Sequence, residues 1–468
     1  MRGRGGARRL PGRAHAGPGG CGPLLPDARD ARLTRRASRG RRAAWEAIRA
    51  SHRGRRLDLA FAETASDLDT RERGFALELA YGTVRLRGRW DHLLARHLSR
   101  ELDALDPELL DLLRLGAHQL LAMRVPAWAA ISESVELARE VGAGRAAGLV
   151  NAVLRALSRD DGGAERWPDP DRDPVGFLST WGSHPRWLVE RWLARWSFDE
   201  VRALVEFDNA VPPLRIVPAD GDLTAAAAAF AREGVEVETE LIPGTLRVTT
   251  SDVPRALSIH PGFVQDAGAA LVVRFAAVRS GDRVADLCAA PGGKALSAAR
   301  VARYVLAADP SEPRLALVRE SARRLGLPVH VVRARGEDPP VSELDLVLVD
   351  APCTGTGTLR RHPDARWRLE PEAPARMAEV QARILLGSAD VVRPGGHLVY
   401  STCTLEPEEN EGVIARVLAK RPDFTVDPPD DPALPMREGA LEVLPQREGW
   451  DGAWAMRLRR NPMTMDET

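Results

Sequence analysis

Beyond Gly262 the apolar residues of this chain fall into short runs separated by stretches long enough for a helix and patterned like one. The runs lie at 283–287, 304–308, 329–333, 344–349 and 397–401, and helical patterning fills 293–302, 311–325 and 371–392. Short runs with little polar alternation read as strands buried on both faces, as in a parallel sheet covered by helices. The alternation therefore predicts an α/β Rossmann-like domain with a mostly parallel, doubly wound sheet. Runs at 424–426 and 455–458 supply a final pair of strands. In such sheets ligands bind at the carboxyl edge.

Three of the four cysteines fall at that edge: Cys288 in Asp286-Leu-Cys-Ala-Ala-Pro-Gly-Gly-Lys294, Cys353 in Asp350-Ala-Pro-Cys353, and Cys403 in Tyr400-Ser-Thr-Cys403. One such cysteine is most simply a small buried hydrophobe. Three at motif-bearing strand ends are not explained that way. No C-x-x-C pair occurs, so neither a zinc site nor a disulfide scaffold is indicated. No metal is expected, and free thiols fit a reducing cytoplasm.

The loop after the first of these strands opens a helix. Its glycines let the backbone approach a ligand, and a helix amino end favours a negative group such as a carboxylate. It is not a Walker loop: Cys288 stands where glycine would, and Ala295 where a magnesium-binding hydroxyl would. Lys294 is one of only two lysines, against 64 arginines, which suggests a compact ammonium was needed there. Asp309 ends the next strand, where a carboxylate can bind ribose hydroxyls. The alternative for Asp309 is a turn-forming residue before Pro310.

The amino half reads differently. From about 38 to 158 the pattern is helical, with Leu109, Leu112, Leu113, Leu120 and Leu121 at helical spacing, as are Leu77, Tyr81 and Val84. Asp106-Pro107 starts one helix with a capping residue and a first-turn proline. Residues 160–174 read as a linker, and a helical patch at 185–207 carries Trp187, Trp192 and Trp196, whose spacing favours packing over base stacking. Residues 213–250 read strand, helix, strand, strand, a small α+β unit. Net charge is zero, yet residues 1–56 hold 16 arginines and three acids, a patch that attracts phosphates. Residues 1–34 are Arg/Gly/Pro-rich without periodicity and read as a disordered tail. They lack the apolar core of a secretory signal, and no later run reaches membrane-spanning length, so no membrane association is expected.

From about 261 to 460 the chain resembles the RsmB/NOP family of RNA cytosine-5 methyltransferases. The three cysteine motifs carry the likeness, with Val264-Gln-Asp-Ala-Gly268, Gly357-Thr-Leu-Arg-Arg-His-Pro-Asp364 and Pro407-Glu-Glu-Asn410. Residues 38–160 resemble the NusB-like RNA-binding domain, through Arg71-Glu-Arg-Gly-Phe-Ala76, Tyr81-Gly-Thr-Val-Arg85 and Leu149-Val-Asn-Ala-Val-Leu-Arg155. His184-Pro185 lies in the joining segment, 175–260, an expected linking and RNA-recognition unit. The resemblance implies a cytoplasmic, monomeric enzyme that takes its methyl group from S-adenosylmethionine and acts on 16S ribosomal RNA. Cys403 is then the nucleophile, Cys353 assists product release, and Asp350 contacts the base. The cofactor site comprises Cys288, Ala289, Ala290, Pro291, Gly292, Gly293, Lys294, Asp309, Arg335 and Asp350. In the family an Asp-Gly pair follows the third strand and lines the adenosine pocket. Here Arg335-Gly336 occupies that slot, so Glu337 or Asp338 substitutes, or backbone contacts suffice, or affinity is reduced. Two rivals remain: a DNA cytosine methyltransferase, whose Pro-Cys thiol is the nucleophile, and an RNA-binding assembly factor on a decayed fold, for which Arg335 is the sole support.

Overall fold

The computed structural model describes residues 37–160, 166–250 and 252–462 of the 468-residue chain, and the tail expected over 1–34 lies outside them. Seven α-helices occupy residues 39–157, from Arg39–His52 to Ala147–Leu157. Pro107–Leu121 starts where its capping signal predicts: Asp106 accepts the Glu108 amide at 2.8 Å, and proline fills the first turn. Every residue from Leu109 to Gln119 is buried, so the other helices pack around this one. Its buried Arg114 is paired with Asp91 and Asp111, and fully buried Leu57, Leu79, Leu112, Leu113 and Leu154 fill the core. Each such leucine is worth roughly 1.5–3 kcal/mol. The expected stripe Leu77, Tyr81, Val84 needs correction. Leu77 is 41% exposed, and Thr70–Arg85 turns Ala76, Leu79, Ala80, Thr83 and Val84 inward. A Cβ at Gly40 would lie 3.2 Å from the Glu72 carbonyl and 3.7 Å from Ala76 Cβ. Gly40 lets the first helix approach this one, with the Phe75 ring 3.4 Å from the same point, and Leu77 falls on the outer face.

The expected linker, 160–174, ends where the next helix starts. Pro174–Thr180 is a helix, capped by Asp173, which accepts the Gly176 amide at 2.8 Å. The patch at 185–207 is two helices, Arg186–Leu193 and Phe198–Asn209, interrupted at Ser197, which forms a capping box with Glu200. Trp192 is fully buried, with Trp187 and Trp196 packed against its cluster. Next comes a four-stranded antiparallel sheet of β1 (Leu214–Pro218), β2 (Val237–Glu240), β3 (Thr245–Val248) and β4 (Gly262–Val264), in the order β2-β3-β1-β4. Helices Leu223–Arg232 and Val253–Ile259 pack on it through Ala226, Phe230 and Ala256. β4 falls outside the sequence expectation; its short run shows no alternation, and pairing with β1 alone makes it a strand.

The larger sheet contains β5 (Arg283–Asp286), β6 (Tyr304–Asp309), β7 (Val329–Arg333), β8 (Leu344–Asp350), β9 (Val392–Thr402), β10 (Phe424–Val426), β11 (Met436–Arg437), β12 (Ala440–Val443) and β13 (Ala453–Arg460). Its order is β11-β12-β13-β9-β8-β5-β6-β7, with β10 also on β13. β7-β6-β5-β8-β9 are parallel, as the alternation predicts, and β13 joins β9 antiparallel. The chain leaves β5 toward β6 on one side and returns as β8 on the other. The order therefore reverses between β5 and β8, and a crevice forms outside their carboxyl ends.

The segment following β8 binds the three parts together. Arg366 is fully buried and donates to the Ser183 carbonyl (3.1 Å), the Asp208 carbonyl (3.1 Å) and Asn209 Oδ1 (2.9 Å). Beside it, Trp367 Nε1 donates to the Val84 carbonyl at 2.9 Å and the Leu57 amide donates to Asp364 at 3.2 Å.

Candidate active site

At the β5/β8 reversal a cleft of about 350 Å³ is lined by Asp286, Cys288, Lys294, Asp350, Thr402 and Cys403, with Gln265, Asp266, Arg361, His362 and Asp451 opposite and around them. Ala289, Ala290, Pro291 and Gly293 also line it. The loop's tightness has a steric cause. Gly292 adopts φ +113°, and a Cβ there would press on Val318 at 3.2 Å. At Gly293 a Cβ would lie 3.0 Å from Gln265 Nε2, so the loop runs close under β4's exit.

Cys353 and Cys403, fifty residues apart, arrive with their sulfurs 3.4 Å from one another. Both are half-buried free thiols, like Cys288. The hydrogen bond from Cys353 holds the Cys403 pKa below the usual thiol value, against burial and Asp350, with Thr358 and Lys294 also favouring the thiolate. The same contact, with burial and Glu409, pushes Cys353 well up. The Thr358 hydroxyl lies 3.8 Å from Cys403 Sγ and 3.0 Å from the Gly355 carbonyl, sharing its one proton between them. Cys288 is a different kind of thiol: burial and the nearby Asp286, Asp350, Asp309 and Glu337 raise its pKa and keep it protonated.

Lys294 Nζ bonds Asp350 Oδ2 at 2.8 Å, and Ser401 Oγ donates to Asp350 Oδ1 at 2.9 Å. Burial works against the Lys294 ammonium, but Asp350 and Asp286 outweigh it and raise its pKa. Asp286 is the odd group. It is buried, both carboxylate oxygens lack a hydrogen-bond partner, and the amides of Cys288 and Ala295 lie near it without closing a bond. Burial first, then Asp350, pushes it up to about 7. An unpartnered carboxyl on the cleft wall fits a ligand that brings positive charge, and the glycine loop leaves room for it. S-adenosylmethionine, with its amino and sulfonium groups, meets both conditions.

Asp309 and Arg335 do not line the cleft, although Asp309 lies close enough to Cys288 to raise its pKa. Asp309 is buried at the end of β6, where its Oδ1 accepts the Ser311 amide at 2.9 Å and its Oδ2 lies 3.4 Å from Arg314. The turn-forming alternative thus describes its contacts. Arg335 is exposed, in a tight turn that pairs it with Asp338, while Glu337 lies close enough to raise the Cys288 pKa. Gly336 packs under Ile384, where a Cβ would come within 2.8 Å.

Sequence reasoning assigns no role to the acids and arginines of the opposite wall. Asp266 Oδ2 meets Arg361 at 2.7 Å, Arg215 at 3.2 Å and Arg360 at 3.4 Å, and Asp451 pairs with both Arg360 and Arg361. Asp266 and the two arginines lie within motifs already quoted, so their presence was visible and their pairing was not. Asp451 carries no signal beyond an Asp-Gly turn. Among the described residues no cluster of three or more His, Cys, Asp or Glu is arranged to hold a metal, and no helix is long and apolar enough to cross a membrane.

Residues 274–459 match the family described as 16S rRNA methyltransferase RsmB/F, and residues 38–159 match the NusB family. A Mycobacterium tuberculosis protein named as a methyltransferase is 37% identical over 443 residues, covering 90% of this chain and 96% of the relative. Ribosomal RNA small subunit methyltransferase B of Thermus thermophilus is 37% identical over 392 residues, covering 83% of this chain and 89% of the relative. The solved structure of PH0851 shares the fold, with a TM-score of 0.75 at 23% identity over 90% of this chain and 98% of that one.

Proposed function

Because the chain belongs to the 16S rRNA methyltransferase RsmB/F family, we propose that it methylates carbon 5 of a cytosine in 16S ribosomal RNA through a covalent bond to Cys403. The observation that carries this reading is the pair of sulfurs 3.4 Å apart beside the Lys294–Asp350 ion pair. Carbon 5 of cytosine is a poor nucleophile. Addition of the Cys403 thiolate to carbon 6 pushes electrons toward carbon 5 and makes it one. Cys403 has the lowered pKa of the pair, as an attacking thiol requires. Asp350, steadied by Ser401 and Lys294 on the cleft wall, hydrogen-bonds the amino edge of the base and favours protonation of its ring. S-adenosylmethionine, held along Cys288–Lys294 and against Asp286, supplies an electrophilic methyl group. Loss of the carbon 5 proton to solvent water then re-forms the ring double bond and expels Cys403 as thiolate. Cys353 donates a hydrogen bond to that sulfur as it departs, a role its sulfur 3.4 Å away supports.

The test separates the thiols. With radiolabelled 16S RNA and cofactor on a denaturing gel, Cys403→Ala gives neither methylation nor adduct, whereas Cys353→Ala traps enzyme on RNA as a slow band. A slow band with Cys403→Ala and none with Cys353→Ala reverses the roles, as in the DNA enzymes. No adduct in either variant and no methylation by the parent leaves a non-catalytic RNA-binding scaffold.

A further inference from the structure

Glu409 takes no part in the chemistry above, yet its carboxylate lies between the two loops that carry the thiols. It is fully buried. Oε2 accepts the Thr354 amide at 2.9 Å and Gln381 Nε2 at 2.8 Å, and Oε1 accepts the Thr404 hydroxyl at 3.0 Å as well as the Thr354 hydroxyl. Thr354 and Thr404 are the residues directly after Cys353 and Cys403, and their hydroxyls also meet at 2.8 Å. The Glu409 backbone is itself held by the Tyr400 hydroxyl, which donates to its carbonyl at 2.6 Å.

The two loops do not depend on it equally. Cys403 follows directly from β9, its carbonyl accepts the Gly357 amide at 3.0 Å, and the Thr404 carbonyl accepts Asn410 Nδ2 at 3.2 Å. Cys353 lies three residues past the end of β8. Its neighbours are held by Glu409 on one side, through both polar groups of Thr354, and by Gln381 on the other, which donates to the Pro352 carbonyl at 2.9 Å as well as to Glu409. Cys403 keeps its strand if the carboxylate is lost, whereas the loop of Cys353 loses both bonds to Thr354.

We propose that Glu409 is the positioning residue for Cys353: its carboxylate fixes the release thiol against the nucleophile and thereby sets the rate of adduct breakdown more than the rate of attack. This rests on the two-thiol reading above. The amide of Glu409→Gln keeps the shape and can keep its oxygen toward the Thr354 amide and Gln381, but its NH2 then makes the Thr354 and Thr404 hydroxyls accept, and every bond loses its charge. Hydrogen bonds to a charged group are the stronger ones, so the hold on Thr354 weakens.

The experiment uses the full chain, 16S RNA transcript and cofactor on the same denaturing gel, with steady-state kinetics alongside. Glu409→Gln is expected to lower kcat by roughly tenfold or more, as loss of a buried charged hydrogen bond implies, and to accumulate the slow adduct band seen with Cys353→Ala. KM for RNA and cofactor should stay within about twofold of the parent. Thr354→Val, which keeps the backbone amide and removes the hydroxyl, should show the same band more weakly, and it decides the matter if Glu409→Gln fails to fold. A folded Glu409→Gln enzyme with parental turnover, or one that loses activity without accumulating adduct, overturns the inference, as does Thr354→Val without a band. Absence of adduct in Cys353→Ala itself would instead overturn the two-thiol reading on which it stands.

Discussion

A carboxyl group buried without a partner, as Asp286 is, makes binding and stability depend on pH. Its pKa rises from 3.8 to about 7 in the folded protein. Between those values the unfolded chain has released the proton and the native state retains it, so stability falls as pH rises through that window and levels off above about 7. Asp286→Asn should remove this fall, raising the melting temperature over the parent at pH 8 but not at pH 4. Binding should run the other way. A ligand with positive charge prefers the carboxylate, so S-adenosylmethionine affinity should increase as pH rises through about 7. In Asp286→Asn the dependence should flatten and affinity at pH 8 drop by roughly tenfold, since a charged hydrogen bond is worth about 1.5–3 kcal/mol. Calorimetry at pH 6 and 8 checks this, and a parent affinity independent of pH would remove Asp286 from the site. The thiols, Lys294 and Asp350 were legible from their motifs. That Asp286 would be left unpartnered was not, because only the packing of β5 between β6 and β8 strips water from it.

At the scale of elements, the turn after β7 is where the resemblance implies a departure. Arg335 occupies the slot of an expected carboxylate and is exposed, while Gly336 is packed under Ile384. A surface change at such a position costs within about 0.5 kcal/mol. Arg335→Asp is therefore predicted to melt like the parent and to bind S-adenosylmethionine equally or more tightly by calorimetry, with clear loss of affinity showing that Arg335 makes a contact of its own. The strands and helices around this turn followed from their apolar runs and caps. The hairpin of β11 and β12 and the helices Ala267–Ala276 and Glu411–Lys420 did not enter the sequence expectation. β11 and β12 are short and mixed in polarity, and they are strands only because β13 offers a free edge.

The segment after β8 is one of the joints between the parts of the molecule. Arg366 bonds the Ser183 carbonyl, before the two helices that precede β1, and the Asp208 carbonyl in the last turn of the second, on a segment whose Trp367 and Asp364 bond the helical amino region. Burial lowers its pKa to about 10, with Asp208 opposing the shift, so the guanidinium stays charged at neutral pH. Arg366→Met should leave those acceptors unsatisfied and cost about 2–3 kcal/mol, read as a lowered melting temperature. Cleavage by protease near residues 160–173 should become faster, because the helical region is less firmly held. Unchanged melting and proteolysis would show that the apolar contacts suffice.

The apolar periodicity by itself determined that a helical half precedes a doubly wound sheet, and the motifs determined which strand ends carry chemistry, because both are written in residues near one another along the chain. Which groups meet across the fold was decided by tertiary structure alone. Cys353 and Cys403 come together because β8 and β9 pair in parallel and end level, and Glu409 reaches both loops because the chain turns back after β9. Asp309 accepts an amide of its own turn and lies beside Arg314, and Leu77 falls on the outer face of its helix. Partners distant in sequence leave no spacing to read; their pairing is a property of the packed sheet.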